Sequence, residues 1–471
     1  MPVQTGVKSA PPERDMQTTS SPSAVAVDVQ TLIDNRPISR YQWLILVLCF
    51  LIVAIDGFDT AAIGYVAPAL VQDWGIDKAT LGPVMSAALF GLAFGAIFAG
   101  PMADRVGRKK VLVLSVFFFG ACSLATAFAP SLAWLTAMRF LTGLGLGAAM
   151  PNAVTLMSEY APARRRAVLV NTMFCGFPLG SAAGGFFSAA IIPHFGWQSV
   201  LIFGGVVPLV LAVILVFALP ESIRYLVVRQ APPATIRDIL KRVTGADVSG
   251  AQHFSIHEAT PSADSAIGTV LAARYRLGSA MLWLTYFMGL VIFYLLTSWM
   301  PTLMKDAGFT LQRASFLTAL FPLGGGIGTV AAGWLMDRMN PNKVIAIMYA
   351  GAGVLIYMVG HGSAANQVLL GLLIFMAGTV MNGAQASMPT LAAAFYPTQG
   401  RATGVAWMLG IGRFGGISGA LLGAELLRMA LSFEVIFTLL TIPAFIAAAA
   451  LVVKSVSTRD EGVSKTVVVT H

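Results

Sequence analysis

The chain has 471 residues, of which 57% are hydrophobic, only 11% are charged and 47 are glycines. That is far too little polar surface to cover a soluble globule of this size, so the composition places the chain in a membrane. The net charge of +9 is accounted for by loop cations described below and gives no reason to invoke nucleic acid.

In chain order, residues 1–40 are polar and mixed in charge. They show no short apolar core followed by a small-residue cleavage site, so no signal peptide is expected, and the tail reads as disordered. A membrane helix needs about 20 mainly apolar residues. Twelve segments qualify, starting near Tyr41, Leu81, Val111, Leu132, Val168, Val200, Gly278, Phe316, Val344, Gln367, Thr403 and Phe433. The long polar stretch Pro220 to Arg276 separates the sixth from the seventh and reads as a linker (220–276) between two six-helix halves, 41–219 and 277–453, with a second tail at 454–471. The expected class is therefore an all-α integral membrane protein, with twelve transmembrane helices in two pseudo-symmetric six-helix bundles. Cys49, Cys122 and Cys175 all fall in apolar segments, which leaves neither a disulfide framework nor metal-ligand spacing.

Loop cations set the orientation. Arg105, Arg108, Lys109, Lys110, Arg164, Arg165, Arg166, Arg338, Lys343 and Arg401, with those of the linker, lie on one side, against Lys78, Lys305, Arg313 and Arg428 on the other. Both termini are thus expected in the cytoplasm. The halves also repeat: GPMADRVGRKKV (Gly100 to Val111) aligns without gaps to GWLMDRMNPNKV (Gly333 to Val344), and YAPARRRA (Tyr160 to Ala167) to FYPTQGRA (Phe395 to Ala402). Related halves with a site between them near the midplane are a common construction of secondary transporters.

Asp56 and Asp59, in DGFDTAAIGYVAPAL, lie well inside the first span. Asp56 is about 13 residues, or about 20 Å, into its apolar part, and Asp59 is on nearly the same face. An ionised carboxylate there is expensive and two neighbours cannot both ionise cheaply, so one is expected to hold a proton near neutral pH and act as a proton carrier. Gly57, Gly64 and Pro68 allow the helix to bend there. The competing reading is that both acids pair with Arg139 of span 4 and hold the first half together. Arg139 and Arg413 are the two cations placed within spans, one in each half, and a guanidinium fork matches a carboxylate. Arg413 is the preferred anion contact, because Arg139 has Asp56, Asp59 and Glu159 available. Tyr286, Phe287, Tyr294, Trp299, Trp407 and Phe414 are candidates to line an aromatic slot, with packing as the plainer role. Asn382 and Gln385 can bond a ring hydroxyl or simply bond between helices. All five histidines are placed in loops or tails, so coupling is assigned to carboxylates. No phosphate loop, metal cluster or nucleophile constellation is present, which argues against an enzyme and against ATP drive.

The loop GPMADRVGRKK resembles the loop signature of the major facilitator superfamily, and PESIRYL (Pro220 to Leu226) is similar to a motif of several of its branches. With DGFDTAAIGYVAPAL, RFLTGLGLGAAMPNA, WLTYFMGLVIFYLLTSWMPTLM and YPTQGRATGVAWMLGIGRFGG, the chain resembles the aromatic acid:proton symporters, especially carriers of 4-hydroxybenzoate and protocatechuate. One departure is Asn342, where some relatives have a histidine. The resemblance implies the major facilitator fold, proton-coupled uptake of an aromatic carboxylate by alternating access, no cofactor and a working monomer in an inner (plasma) membrane. It also implies coupling through Asp56 and Asp59. Substrate contacts are expected from Arg413, Arg139, Tyr294, Trp407, Asn382 and Gln385. Gating is expected from Gly100, Asp104, Arg105, Gly107, Arg108 and Lys109 with Glu159 and Arg401, Asp104 accepting from a basic partner across the cytoplasmic face when the carrier opens outward. A carrier for another organic acid or a sugar, and a membrane sensor without transport, are the alternatives.

Overall fold

A computed structural model describes residues 26–246, 248, 251, 253–255, 263–362 and 366–463. Among these residues twelve helices are long and apolar enough to cross a membrane. Spans 1 to 6 are Arg40–Trp74, Lys78–Val106, Arg108–Thr126, Leu132–Tyr160, Ala163–Phe195 and Gln198–Ala218. Spans 7 to 12 are Ala273–Asp306, Leu311–Met336, Pro341–His361, Gln367–Phe395, Thr403–Arg428 and Phe433–Ser457. Helices are the natural outcome, because lipid offers no partner for a backbone N–H or C=O and the helix satisfies both within itself. Span 1 shows how the ends are fixed. A capping box between Ser39 and Gln42 starts it, and Gly75, in the left-handed region at φ 61°, stops it.

The two halves pack by the same scheme. In the first, span 1 packs on 5, span 2 on 4 and span 3 on 6; in the second, 7 packs on 11, 8 on 10 and 9 on 12. The internal repeat is thus one of structure. At Gly180 of span 5 a Cβ would lie 1.7 Å from the carbonyl oxygen of Ala54, so spans 1 and 5 touch backbone to backbone. The halves meet along three seams, span 5 on 8, 2 on 11 and 1 on 7. The last is tight at Gly64, where a Cβ would sit 2.4 Å from the oxygen of Thr297. An even number of spans, six on each side of the linker, puts both tails and the linker on one face. Side chains also bond the halves together on the opposite, remote face. An ion pair joins Lys78 to Asp306, and Lys305 Nζ donates to Gln72 Oε1 at 2.8 Å.

Three expectations change. The end of the first tail is ordered: strand β1 (Ala26–Asp28) pairs in parallel with β2 (His253–Ser255) of the linker, and helix α1 (Val29–Asp34) follows. Val29 and Ile33 bury their side chains in one apolar cluster with Ile236 and Leu240, while Asp34 accepts from the backbone N of Ala163 at 2.8 Å. Residues 1–25 lie outside those described. The linker is more than a tether, since it carries helices Ile223–Val228, Pro233–Thr244 and Ala263–Leu271 besides β2. Not every histidine is in a loop or tail either: His194 lies in helix Gly176–Phe195, His361 ends span 9 and His253 is in β2. His257 and His471 fall outside the described residues.

Candidate functional site

Asp56 and Asp59 are both buried, at 2% and 0% exposure, yet they face different partners. Arg139, also at 0% exposure, donates from one NH to Asp59 Oδ2 at 2.9 Å and from the other to the Asp59 backbone oxygen at 3.2 Å. Ser123 of span 3 donates to the other carboxylate oxygen at 2.8 Å. Asp59 is therefore fully engaged inside the first half. Breaking such a pair leaves an uncompensated buried charge, which costs about 3–5 kcal/mol. Asp56 does not pair with Arg139. It accepts from Thr60 Oγ1 at 3.2 Å, one turn on, and lies within Coulombic reach of Arg413 from the other half. The competing reading, in which both acids pair with Arg139, holds for Asp59 alone, since residues three apart on a helix are offset by about 60° around its axis.

Arg413 of span 11 reaches across the 2/11 seam and donates to the backbone oxygen of Leu92 at 2.7 Å. Tyr286 and Tyr294 of span 7 share its electrostatic neighbourhood with Asp56. Between the halves lies a cavity of about 10 Å³, lined by Thr60, Leu92, Arg139, Tyr294 and Ser298 among others. That is room for about one water, whereas small-molecule sites run to about 300 Å³ or more. The cavity has no room for an aromatic ring. Arg139 Nε has no hydrogen-bond partner among the described residues and belongs to a side chain of that cavity's wall.

The remaining candidates divide. Tyr294 lines the cavity. Trp407 lies 5.8 Å from Trp283, ring to ring, on the seam between spans 7 and 11. Gln385 is held inside the second half, accepting from Tyr349 OH at 2.5 Å and donating to the Tyr286 oxygen at 3.4 Å. Asn382 likewise donates to the Phe321 oxygen at 3.3 Å. Trp299 is fully buried and donates to the Ala420 oxygen at 2.8 Å, and Phe414, at 62% exposure, points to the outside of the bundle.

The gating candidates of the first half form one network with the linker. Arg108 lies 3.3 Å from Asp104 and 3.1 Å from Glu159, and Ser222 donates to the other oxygen of Glu159. The backbone N of Lys109 donates to Glu221 Oε1 at 2.9 Å. Tyr225 and Arg229 both donate to the Arg105 oxygen, at 3.3 and 3.0 Å. Gly107 has φ 111°, and a Cβ there would meet Glu221 at 2.5 Å, whereas Gly100 has open space around it. Arg401, in the second half, is exposed.

Three participants were not singled out from the sequence. Ser123 and Thr60 are hydroxyls in apolar runs, and their spacing relative to the acids is the only signal. Lys454, 2% exposed, is a buried cation besides Arg139: it lies in the last helix, donates to Asn342 Oδ1 at 2.7 Å and sits 4.7 Å above the Phe395 ring. Its contact mirrors that at Glu221. Asn342 aligns with Lys109 in the repeat, so the matching loop position is bonded to an acid just beyond the sixth helix in the first half and to a base near the end of the sixth helix in the second.

The profile of the Major Facilitator Superfamily matches residues 49–354 and 282–467. The 4-hydroxybenzoate transporter PcaK of Pseudomonas aeruginosa is 56% identical, over 95% of this chain and 100% of its own. The PcaK of Acinetobacter baylyi is 53% identical, over 91% and 94%, and a gallate transporter of Pseudomonas putida 50%, over 91% and 95%. Among solved structures, the inward open xylose transporter XylE of E. coli superposes with a TM-score of 0.68 at 17% identity, covering 87% of this chain and 95% of that one. The twelve spans, their paired packing and these matches make the chain a multi-pass membrane protein that belongs to the major facilitator superfamily.

Proposed function

We propose that the chain takes up aromatic carboxylates of the 4-hydroxybenzoate kind together with protons, by alternating access. The reading is supported by relatives named for 4-hydroxybenzoate and gallate transport and carried by one observation: the buried Asp56 lies within Coulombic reach of the part-buried Arg413, which comes from the opposite half and bonds across the 2/11 seam. While Asp56 is ionised it partly neutralises Arg413. A proton on Asp56 frees the guanidinium for a ligand carboxylate, so proton and anion enter together and the site keeps its net charge. Such a carboxylate has a reference pKa of about 4, and the aryl ring cannot carry its charge through lipid unaided.

In this scheme Asp59 and Arg139 form the inner pair that orients span 1, with Arg139 Nε available to a ligand in the widened cavity. Tyr294 and Trp407 supply ring faces, and Gln385 and Asn382 reach a ring hydroxyl only by exchanging their present bonds. The bias of loop Lys and Arg puts both tails and the linker in the cytoplasm of a cell with this protein in its inner membrane. The bonded remote face is then the outer gate in its closed form, and the loop network around Asp104 belongs to the inner one. One proton per monocarboxylate moves no net charge, and a second would add about 2.3 kcal/mol per 100 mV. No cofactor is needed, and one chain suffices.

The test is uptake into proteoliposomes under an imposed pH gradient, across a panel of ring-substituted benzoates. Uphill accumulation of 4-hydroxybenzoate, lost with a protonophore and competed by benzoates but not glucose, is expected. Accumulation indifferent to the pH gradient, or competition by glucose, refutes the proposal.

A further inference from the structure

We propose that a groove between spans 3 and 6, at the tail-bearing end, binds a phospholipid with an anionic headgroup. Its volume is about 410 Å³, and its walls include Lys109, Lys110, Leu114 and Phe117 of span 3 and Val213 and Val216 of span 6. Lys110, Leu114 and Phe117 are spaced four and three apart, so they form one stripe on the helix. That stripe runs about 10 Å inward from the lysines. Leu114, Phe117, Val213 and Val216 are 59%, 53%, 59% and 47% exposed, so the trough opens to the lipid. A membrane surface thus presents an apolar channel of acyl-chain character with two ammonium groups at its mouth.

The charges at that mouth are not consumed by the protein. Arg108 faces the nearby acids Asp104 and Glu159, and Glu221 takes the backbone N–H of Lys109. Neither lysine ammonium has an ion pair among the described residues, although Glu221 lies within Coulombic reach of Lys109. Lysine stems lie along apolar surface while their heads seek the headgroup level, which is where a lipid phosphate sits. A zwitterionic headgroup brings its own cation against the two lysines, so an anionic headgroup fits better. A second groove, of about 720 Å³ between spans 5 and 8 and lined by Cys175, Leu179, Leu323 and Trp334 among others, has no charged side chain in its wall. It holds any acyl chain without preference and serves as an internal comparison.

The experiment measures lipid retained by the full chain in nanodiscs of mixed phosphatidylglycerol and phosphatidylcholine, a readout independent of what is transported. Wild type is expected to prefer phosphatidylglycerol on the order of tenfold. The pair Lys109→Gln/Lys110→Gln should abolish the preference. Lys110→Gln alone, at an exposed position, should reduce it about threefold and keeps the test open if the double variant does not fold. Val213→Trp fills the trough with both lysines intact and should also release the lipid, while inorganic phosphate should not displace it. An unchanged preference in the lysine variants overturns the proposal, and so does displacement by inorganic phosphate with Val213→Trp silent, which would mark a headgroup-only attraction.

Discussion

Replacing Asp59 by Asn tests the inner pair most directly. Asn keeps the shape and can still accept from Ser123, but the Arg139 guanidinium, at 0% exposure, is left without a counter-charge. Breaking a buried pair on one side costs about 3–5 kcal/mol, and Arg139→Gln should cost a similar amount by stranding Asp59. The double variant removes both charges and leaves two neutral groups able to bond each other. It should therefore cost less than the sum of the two single variants, by an interaction energy of about 2–3 kcal/mol. Ser123→Ala loses one hydrogen bond to a charged group, about 1.5–3 kcal/mol. Unfolding of the purified variants in a lipid mimetic gives these differences, and uptake assays run in parallel. If Asp59→Asn matches wild type in stability, or the double variant is simply the sum of the singles, the pair is not what fixes span 1 and the reasoning fails.

The exchange at Asp56 has a definite sign. If protonation of Asp56 leaves Arg413 without its neighbouring carboxylate charge, as proposed, anion binding to wild type should strengthen as pH falls, by about tenfold per unit where one proton is taken up. Asp56→Asn should flatten that dependence in ligand titrations while keeping downhill exchange; a retained slope refutes the coupling. Gly180→Val should abolish folding, since its Cβ would lie 1.7 Å from the Ala54 oxygen, whereas Gly100→Ala has open space and should leave the unfolding midpoint unchanged. Tyr349→Phe strips Gln385 Oε1 of its 2.5 Å donor and should lower stability by about 1–3 kcal/mol, measured by the same unfolding assay; no loss would mean that water replaces the phenol.

Much of the architecture was legible because lipid imposes it. Apolar runs of span length must be helices, and the repeat of the Gly100 and Gly333 loops correctly implied halves of one design. What periodicity could not say was which neighbour each polar side chain meets. Asp56 and Asp59 sit three apart, and only the packing of spans 3 and 4 against span 1 decides that Ser123 and Arg139 reach Asp59 alone. Lys454 escaped because the last helix continues past the point where apolar composition ends. The β1–β2 pairing joins three-residue strands more than 200 positions apart, and no local pattern encodes a contact between segments so short and so distant. Asn382 and Gln385 were ambiguous for a different reason, since an amide in a span satisfies a helix neighbour and a ligand with the same atoms.

The remote face is sealed with little strength. The Lys78 and Asp306 side chains are 40% and 36% exposed, and ion pairs in such contact with water contribute about 0–1 kcal/mol each. That ion pair therefore opens at little cost, and salt in the medium weakens it further. On the proposed alternating-access scheme, opening that face must overcome chiefly the apolar packing of the seams rather than its polar bonds. On the same scheme the proton and anion gradients together, and not the remote-face bonds, would set the direction of net flow.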